Sequence, residues 1–212
     1  LNPSANLEKF AVKILEIVSS HTLLFDKAEE CINRDVQTLI KVIGSVKTTN
    51  NLDEETRKKK NIQITDILTK GYIQVSTKNM TWDDAIRTAS KPLLENSYIN
   101  SNYIEAMKKQ FPKITNNILL GKNAAIPHSK EENGSYKLGI SLLKLNKPLI
   151  SENGNKIHFV FVVSTTSSKK QLNVMYQLLK LVTNETVVSQ LIASKTNKEL
   201  INIIENFENG SG

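Results

Sequence analysis

The run Ile157-His158-Phe159-Val160-Phe161-Val162-Val163 constrains the fold more than any other stretch of this chain. It is β-branched and aromatic and shows no clean alternation of apolar and polar positions. A strand that reads this way is buried on both faces, so helices must cover both sides of the sheet that contains it. His158 inside this run is expected as a strand residue near the sheet edge.

The flanking patterns supply those helices. Thr81-Trp82-Asp83-Asp84 has the form of a capping box and starts a helix through about Leu94, with Trp82 as its packing anchor. Asn100-Ser101 starts a second helix that turns Tyr103, Ile104 and Met107 inward. Ser167-Ser168, Asn184 and Thr196 precede three more, the last with Glu199 in capping-box position. Ile118-Leu119-Leu120 and Ala124-Ala125-Ile126 read as short strands. From Tyr136 to Leu145 the chain alternates, with Leu138, Ile140 and Leu142 on one side. The expected class is α/β, a mixed β-sheet flanked by helices and preceded by a helical N-terminal segment.

That segment is residues 1–46, where Leu7, Phe10, Ala11, Ile14, Ile17 and Val18, then Ala28, Ile32, Val36, Leu39, Ile40 and Ile43, form two amphipathic patterns. Two such helices need a partner for their apolar faces, and a second copy of the chain is one candidate. Residues 47–61 are polar, include Lys58-Lys59-Lys60, and read as a linker. The α/β domain is expected over 62–208, with a disordered tail at 209–212. A first residue that is leucine suggests a piece of a longer protein.

Composition narrows the function classes. The formal charge of +7 is carried by scattered lysines without a dense stripe or interleaved aromatics, so direct nucleic-acid contact is not expected. No apolar run reaches the roughly 18 residues of a membrane span, and no secretory pattern opens the chain. Cys31 is the only cysteine. It cannot form an internal disulfide and is expected to pack as a small hydrophobe, which suits a cytoplasmic setting. The eight glycines form no phosphate-binding loop, and no metal-ligand spacing or hydrolase elbow occurs, so neither a metal nor a cofactor is expected.

Of the three histidines, His21 breaks a helical pattern and His158 lies in the apolar run. His128 stands apart in Asn123-Ala124-Ala125-Ile126-Pro127-His128-Ser129. Proline fixes its own φ and biases the residue before it toward extended backbone, so the imidazole leaves a stiff strand end. A neutral imidazole is a good nucleophile around neutral pH and can hold a phosphoryl group on one ring nitrogen. On spacing alone, a plain structural histidine is the simpler reading.

Several stretches in order resemble the EIIA domain of the mannitol/fructose type from the bacterial sugar phosphotransferase system. Thr81-Trp82-Asp83-Asp84-Ala85-Ile86-Arg87 resembles its early helix, and Tyr98 to Met107 its second. Ala125-Ile126-Pro127-His128 resembles its phosphorylation motif, and Lys156 to Val163 the following strand. The resemblance implies that His128 accepts phosphate from the carrier HPr and exchanges it with an EIIB cysteine. Ser129 is a candidate phosphoryl contact. So are Thr165 and Thr166, at the C-terminal end of the buried strand where α/β sites form. Two departures stand out. Gln171-Leu172 occupies the place of a His-Leu pair, and Lys108-Lys109-Gln110-Phe111 lacks the Arg-Glu pair typical of mannitol-type carriers. Gln171 can donate a hydrogen bond near a helix N-terminus but cannot titrate.

Both departures resemble EIIA-like modules fused to sugar-responsive transcription regulators of antiterminator or activator type, which carry PTS regulation domains (PRD). Residues 1–46 would suit a connector to an upstream EIIB-like module, and neighbouring PRD or EIIB-like domains would be partners. Three readings stay open: a regulatory EIIA-like module, an EIIA phosphocarrier subunit of a sugar transporter, and an interaction module that never takes phosphate.

Overall fold

The computed structural model describes residues 63–164, 166 and 168–210. The expectations for 1–46 and 47–61, including His21, Cys31 and Lys58-Lys59-Lys60, lie outside the described residues.

Five strands form one mixed sheet: β1 (Ile73–Ser76), β2 (Leu119–Leu120), β3 (Ala124–Ala125), β4 (Gly139–Ile150) and β5 (Lys156–Ser164), in the order β1-β4-β5-β3-β2. β4 and β5 pair antiparallel, as do β2 and β3, whereas β1 joins β4 and β3 joins β5 in parallel. The apolar run is therefore the central strand. Among the described residues, six α-helices flank the sheet: α1 (Ile64–Ile67), α2 (Trp82–Glu95), α3 (Ser101–Gln110), α4 (Ser168–Thr183), α5 (Glu185–Ala193) and α6 (Asn197–Gly210).

From Phe159 to Val163 alternate residues of β5 feed two separate cores, and Ile157, ahead of that stretch, joins the second. Phe159, Phe161 and Val163 pack with Ile64 of α1, Val174, Leu178 and Leu181 of α4, Val188 and Leu191 of α5, and Leu200 and Ile204 of α6. Ile157, Val160 and Val162 pack with Ala85, Ile86 and Ala89 of α2 and with Tyr103, Ile104 and Met107 of α3. Fully burying each phenylalanine contributes roughly 1.5–3 kcal/mol.

The first half of β4 has no solvent face. Leu138, Ile140 and Leu142 do share the first core, but Leu143 and Leu145 enter the second, because β4 is an inner strand with helices on both faces. Even Lys144 is buried. Its ammonium donates to Asn146 Oδ1 at 2.8 Å and to the Ser194 carbonyl, which closes the C-terminal end of α5. Burial pushes this lysine below its ordinary pKa, while the Glu199 carboxylate opposes the shift.

The helix starts follow from capping. Thr81 Oγ1 accepts from Asp84 N–H at 3.2 Å and the Asp84 carboxylate accepts from Thr81 N–H at 3.3 Å, a reciprocal box. The Thr81 hydroxyl, which donates to the same carboxylate at 2.7 Å, and then the Thr81 N–H hold Asp84 below the usual carboxylate range. Asn184 Oδ1 accepts from Val187 N–H. At α6, Thr196 Oγ1 accepts from Glu199 N–H, and the Glu199 carboxylate reaches back to Lys195 N–H at 2.7 Å as well as to Thr196. This helix runs on to Gly210, two residues into the segment expected as a tail. Pro92 lies in the last turn of α2 and cannot donate to Thr88. The Gln74 amide of β1 takes over that carbonyl at 2.6 Å.

Candidate functional site

β3 ends at Ala125, and the Ile126 N–H donates to the Ile118 carbonyl at 2.7 Å, so the chain enters Pro127 already anchored. His128 follows as a half-buried residue with Nδ1 3.0 Å from the Ile126 carbonyl oxygen. A carbonyl only accepts, so Nδ1 carries the proton and Nε2 keeps its lone pair. The Phe111 ring, just past the end of α3, lies 5.5 Å from the imidazole centroid to centroid. Burial pushes the imidazole below its ordinary pKa of 6.5, and the bond to Ile126 opposes the shift without reversing it. The ring is therefore neutral around neutral pH, with one basic nitrogen free of that backbone bond.

The next residue is held from three sides. Ser129 N–H donates to the Tyr103 hydroxyl at 3.1 Å, and Asn133 Nδ2 donates to Ser129 Oγ at 2.8 Å. The Tyr103 hydroxyl itself reaches the Val163 carbonyl at 2.9 Å and the Ser129 carbonyl at 3.2 Å. Beyond Asn133 the loop is stitched to the junction between α2 and α3. Asn100 N–H donates to the Gly134 carbonyl, Asn100 Nδ2 donates to the Tyr136 hydroxyl, and Asn100 Oδ1 accepts from Tyr103 N–H as the cap of α3. Gly134 has φ 111°, a region that favours glycine, and an added Cβ there would lie 1.9 Å from Asn100 Oδ1.

His128 and Ser129 thus stand beside the C-terminal end of β5. Thr166 sits in an exposed bend after that strand, and Thr165 lies outside the described residues. Gln171 falls in the first turn of α4. Tyr103 and Asn133, which hold Ser129, were absent from the candidate set. The pattern around Tyr103 marked only an inward-facing helix position, and nothing local to Asn133 signals its bond. His158 is not at a sheet edge. It lies near the start of the central strand, its Nδ1 3.3 Å from the Leu145 carbonyl, and burial lowers its pKa as well. Its backbone N–H donates to the Asn123 carbonyl at 2.9 Å, at the point where pairing with β3 begins. No group of three or more potential metal ligands occurs among the described residues, and no described helix is long and apolar enough to cross a membrane.

Residues 66–207 match the family model of the phosphoenolpyruvate-dependent sugar phosphotransferase system, EIIA 2. The chain belongs to this EIIA family. The mannitol-specific cryptic phosphotransferase enzyme IIA component of Escherichia coli (strain K12) is 26% identical over 144 residues, covering 68% of this chain and 98% of that protein. The mannitol-specific enzyme IIA component of Bacillus subtilis (strain 168) is 27% identical over 139 residues, 65% and 95% of the two chains. Among solved structures, the solution structure of the mannitol-specific cryptic enzyme IIA from Escherichia coli matches with a TM-score of 0.63 over 68% of this chain and 99% of that one. An Escherichia coli enzyme IIA in complex with phosphorylated enzyme IIB shares the fold at a TM-score of 0.56 and 19% identity, over 66% and 99%. The mixed sheet with helices on both faces is thus the fold of mannitol-type EIIA domains, and the matched residues of this EIIA domain run from α1 to α6.

Proposed function

We propose that His128 is the phosphoryl acceptor of this EIIA domain and that Nε2 is the attacking atom. The observation that carries this reading is the bond from Nδ1 to the Ile126 carbonyl, which leaves Nε2 as the basic nitrogen of a neutral ring. In the transfer, a P–N bond forms at Nε2 as the bond between phosphorus and the donor histidine of HPr breaks. The Nδ1 proton stays in place, and the Ile126 carbonyl stabilises the positive charge that the ring acquires. Such transfers depend on positioning and on stabilising the charge of the equatorial oxygens. Hydroxyl and amide donors of Ser129, Thr165, Thr166 and Gln171, with the N-terminus of α4, are the groups we assign to those oxygens. Ser129 N–H is bonded to Tyr103 in the free domain, so the Ser129 hydroxyl proton is the donor it offers.

An EIIB-type protein is the proposed partner for onward transfer, supported by the related fold that binds phosphorylated enzyme IIB. We further infer a regulatory role, as the module of a sugar-responsive transcription regulator carrying PTS regulation domains. Residues 1–46 would be the connector, 47–61 the linker and 62–208 the EIIA domain. Gln171 in place of a second histidine and Lys108-Lys109 after Met107 support this over rapid sugar flux. A phosphoryl group on His128 would add about −1.5 to −2 charges and new acceptor oxygens for neighbouring domains to read. A phosphocarrier subunit of a transporter is the second reading, supported by the mannitol-specific relatives.

Incubation with enzyme I, HPr and labelled phosphoenolpyruvate tests the core of this reading. Acid-labile label on the wild type and none on His128→Ala is the expected result. An unlabelled wild type would leave only an interaction module. A helix-turn-helix elsewhere in the full gene product would favour regulation, and a membrane-spanning EIIC neighbour would favour transport.

A further inference from the structure

Tyr103 is fully buried on α3, yet it ends in a polar atom where two distant pieces of backbone meet. One piece is Ser129, directly after the candidate nucleophile, whose N–H donates to the hydroxyl at 3.1 Å. The other is Val163, near the end of the central strand, whose carbonyl lies 2.9 Å from the same oxygen. The hydroxyl has one proton, which the Val163 carbonyl and the more distant Ser129 carbonyl at 3.2 Å compete for. Burial pushes the phenol up to about 12, so it stays a neutral donor at every pH at which the domain works.

The backbone on the other side of His128 is also held. Ile126 N–H is bonded to Ile118, Pro127 has a fixed φ, and the Ile126 carbonyl anchors the ring. His128 therefore hangs between two clamps: β3, paired with β5 as far as Ala125, holds the chain before it, and Tyr103 ties the residue after it to the far end of β5, the strand from which the chain passes into α4.

We propose that Tyr103 is a positioning residue for His128, pinning the residue after the nucleophile to the end of β5 so that the imidazole keeps a fixed place relative to the start of α4. This rests on the reading of His128 as phosphoryl acceptor. Only the hydroxyl makes the bridge, so a phenylalanine would fill the same volume and lose it. Asn133 would still tether the Ser129 side chain, but the hydroxyl bridge from the Ser129 backbone to Val163 would be gone.

The test compares Tyr103→Phe with Val188→Ala, a cavity variant in the opposite core. Phosphoryl transfer from phosphorylated HPr is resolved into kcat and KM, and the His128 ring is titrated by NMR. Tyr103→Phe is expected to lower kcat about 10-fold with little change in KM, as small misplacements of a reacting group do. It is also expected to move the His128 midpoint up toward its ordinary value as the loosened loop admits water. Val188→Ala should lose stability and change neither readout. A wild-type kcat in Tyr103→Phe overturns the proposal, and so does an equal loss in Val188→Ala. If the wild type takes no phosphate, the acceptor reading fails. The titration then decides the role of Tyr103 alone: a raised midpoint supports the clamp, and an unmoved midpoint overturns it.

Discussion

The Nδ1 of His128 lies 3.0 Å from the carbonyl oxygen of Ile126, two residues earlier in the chain. That single bond selects the tautomer, and half-burial beside Phe111 lowers the affinity of the ring for a second proton. A pH effect follows. The folded chain holds His128 neutral below 6.5, where the unfolded chain is already protonated, so the unfolded state binds more protons and stability falls as pH drops. The denaturation midpoint should therefore decline as pH falls from about 7 through the ordinary imidazole range. His128→Gln should weaken this decline without abolishing it, because His158 is displaced in the same direction by burial. Urea titrations across that range measure both slopes.

Gly134→Ala should be among the most damaging single changes in the described domain. The residue sits at φ 111°, and the new methyl would meet Asn100 Oδ1, which caps α3. A loss of at least about 2 kcal/mol is expected from the backbone conformation and the displaced cap together. Chemical denaturation reads the loss, and slower His128 phosphorylation should accompany it because the loop after His128 is tied to the same cap.

Asn100 separates its two bonds by substitution. Asn100→Ala removes both the cap to Tyr103 N–H and the bond to Tyr136, and should cost about 1 kcal/mol. Asn100→Asp keeps an acceptor for Tyr103 N–H and loses only the donor to Tyr136, so it should retain most of the stability. Paired thermal melts of the two variants make the comparison.

Trp82→Phe tests a buried bond beside the site. The Trp82 indole donates to the Phe111 carbonyl at 2.8 Å, and phenylalanine would leave that carbonyl without its donor. The expected loss is about 1–3 kcal/mol. Because Phe111 packs against His128, the ring resonances of His128 should shift in the same variant, which a proton–nitrogen correlation spectrum would detect.

The sequence made the central strand legible because Ile157–Val163 has no polar alternation to suggest a solvent face. The helix starts at Thr81, Asn100 and Asn184 were legible because capping is a local chemistry of neighbouring residues. β1 is not legible in the sequence, since Ile73-Gln74-Val75-Ser76 is short and gains its identity only by pairing with β4 far along the chain. The burial of Lys144 was equally hidden, because it depends on the carbonyl that α5 presents to it. At the candidate site, the strand-end placement of His128 was readable from Pro127 and the strand before it, whereas the link from Tyr103 to Ser129 and Val163 joins segments that no spacing rule connects.

The topology also sets an order of assembly. β4 and β5 are joined by a tight turn around Gly154 and can zip as neighbours, whereas β3 is two residues long and must find β5 from across a long loop. Closing the longer loop costs more entropy before any contact repays it, so the hairpin has the kinetic advantage. A chain folding this way completes its scaffold before it places His128, and half-made copies would lack the anchored position of that ring.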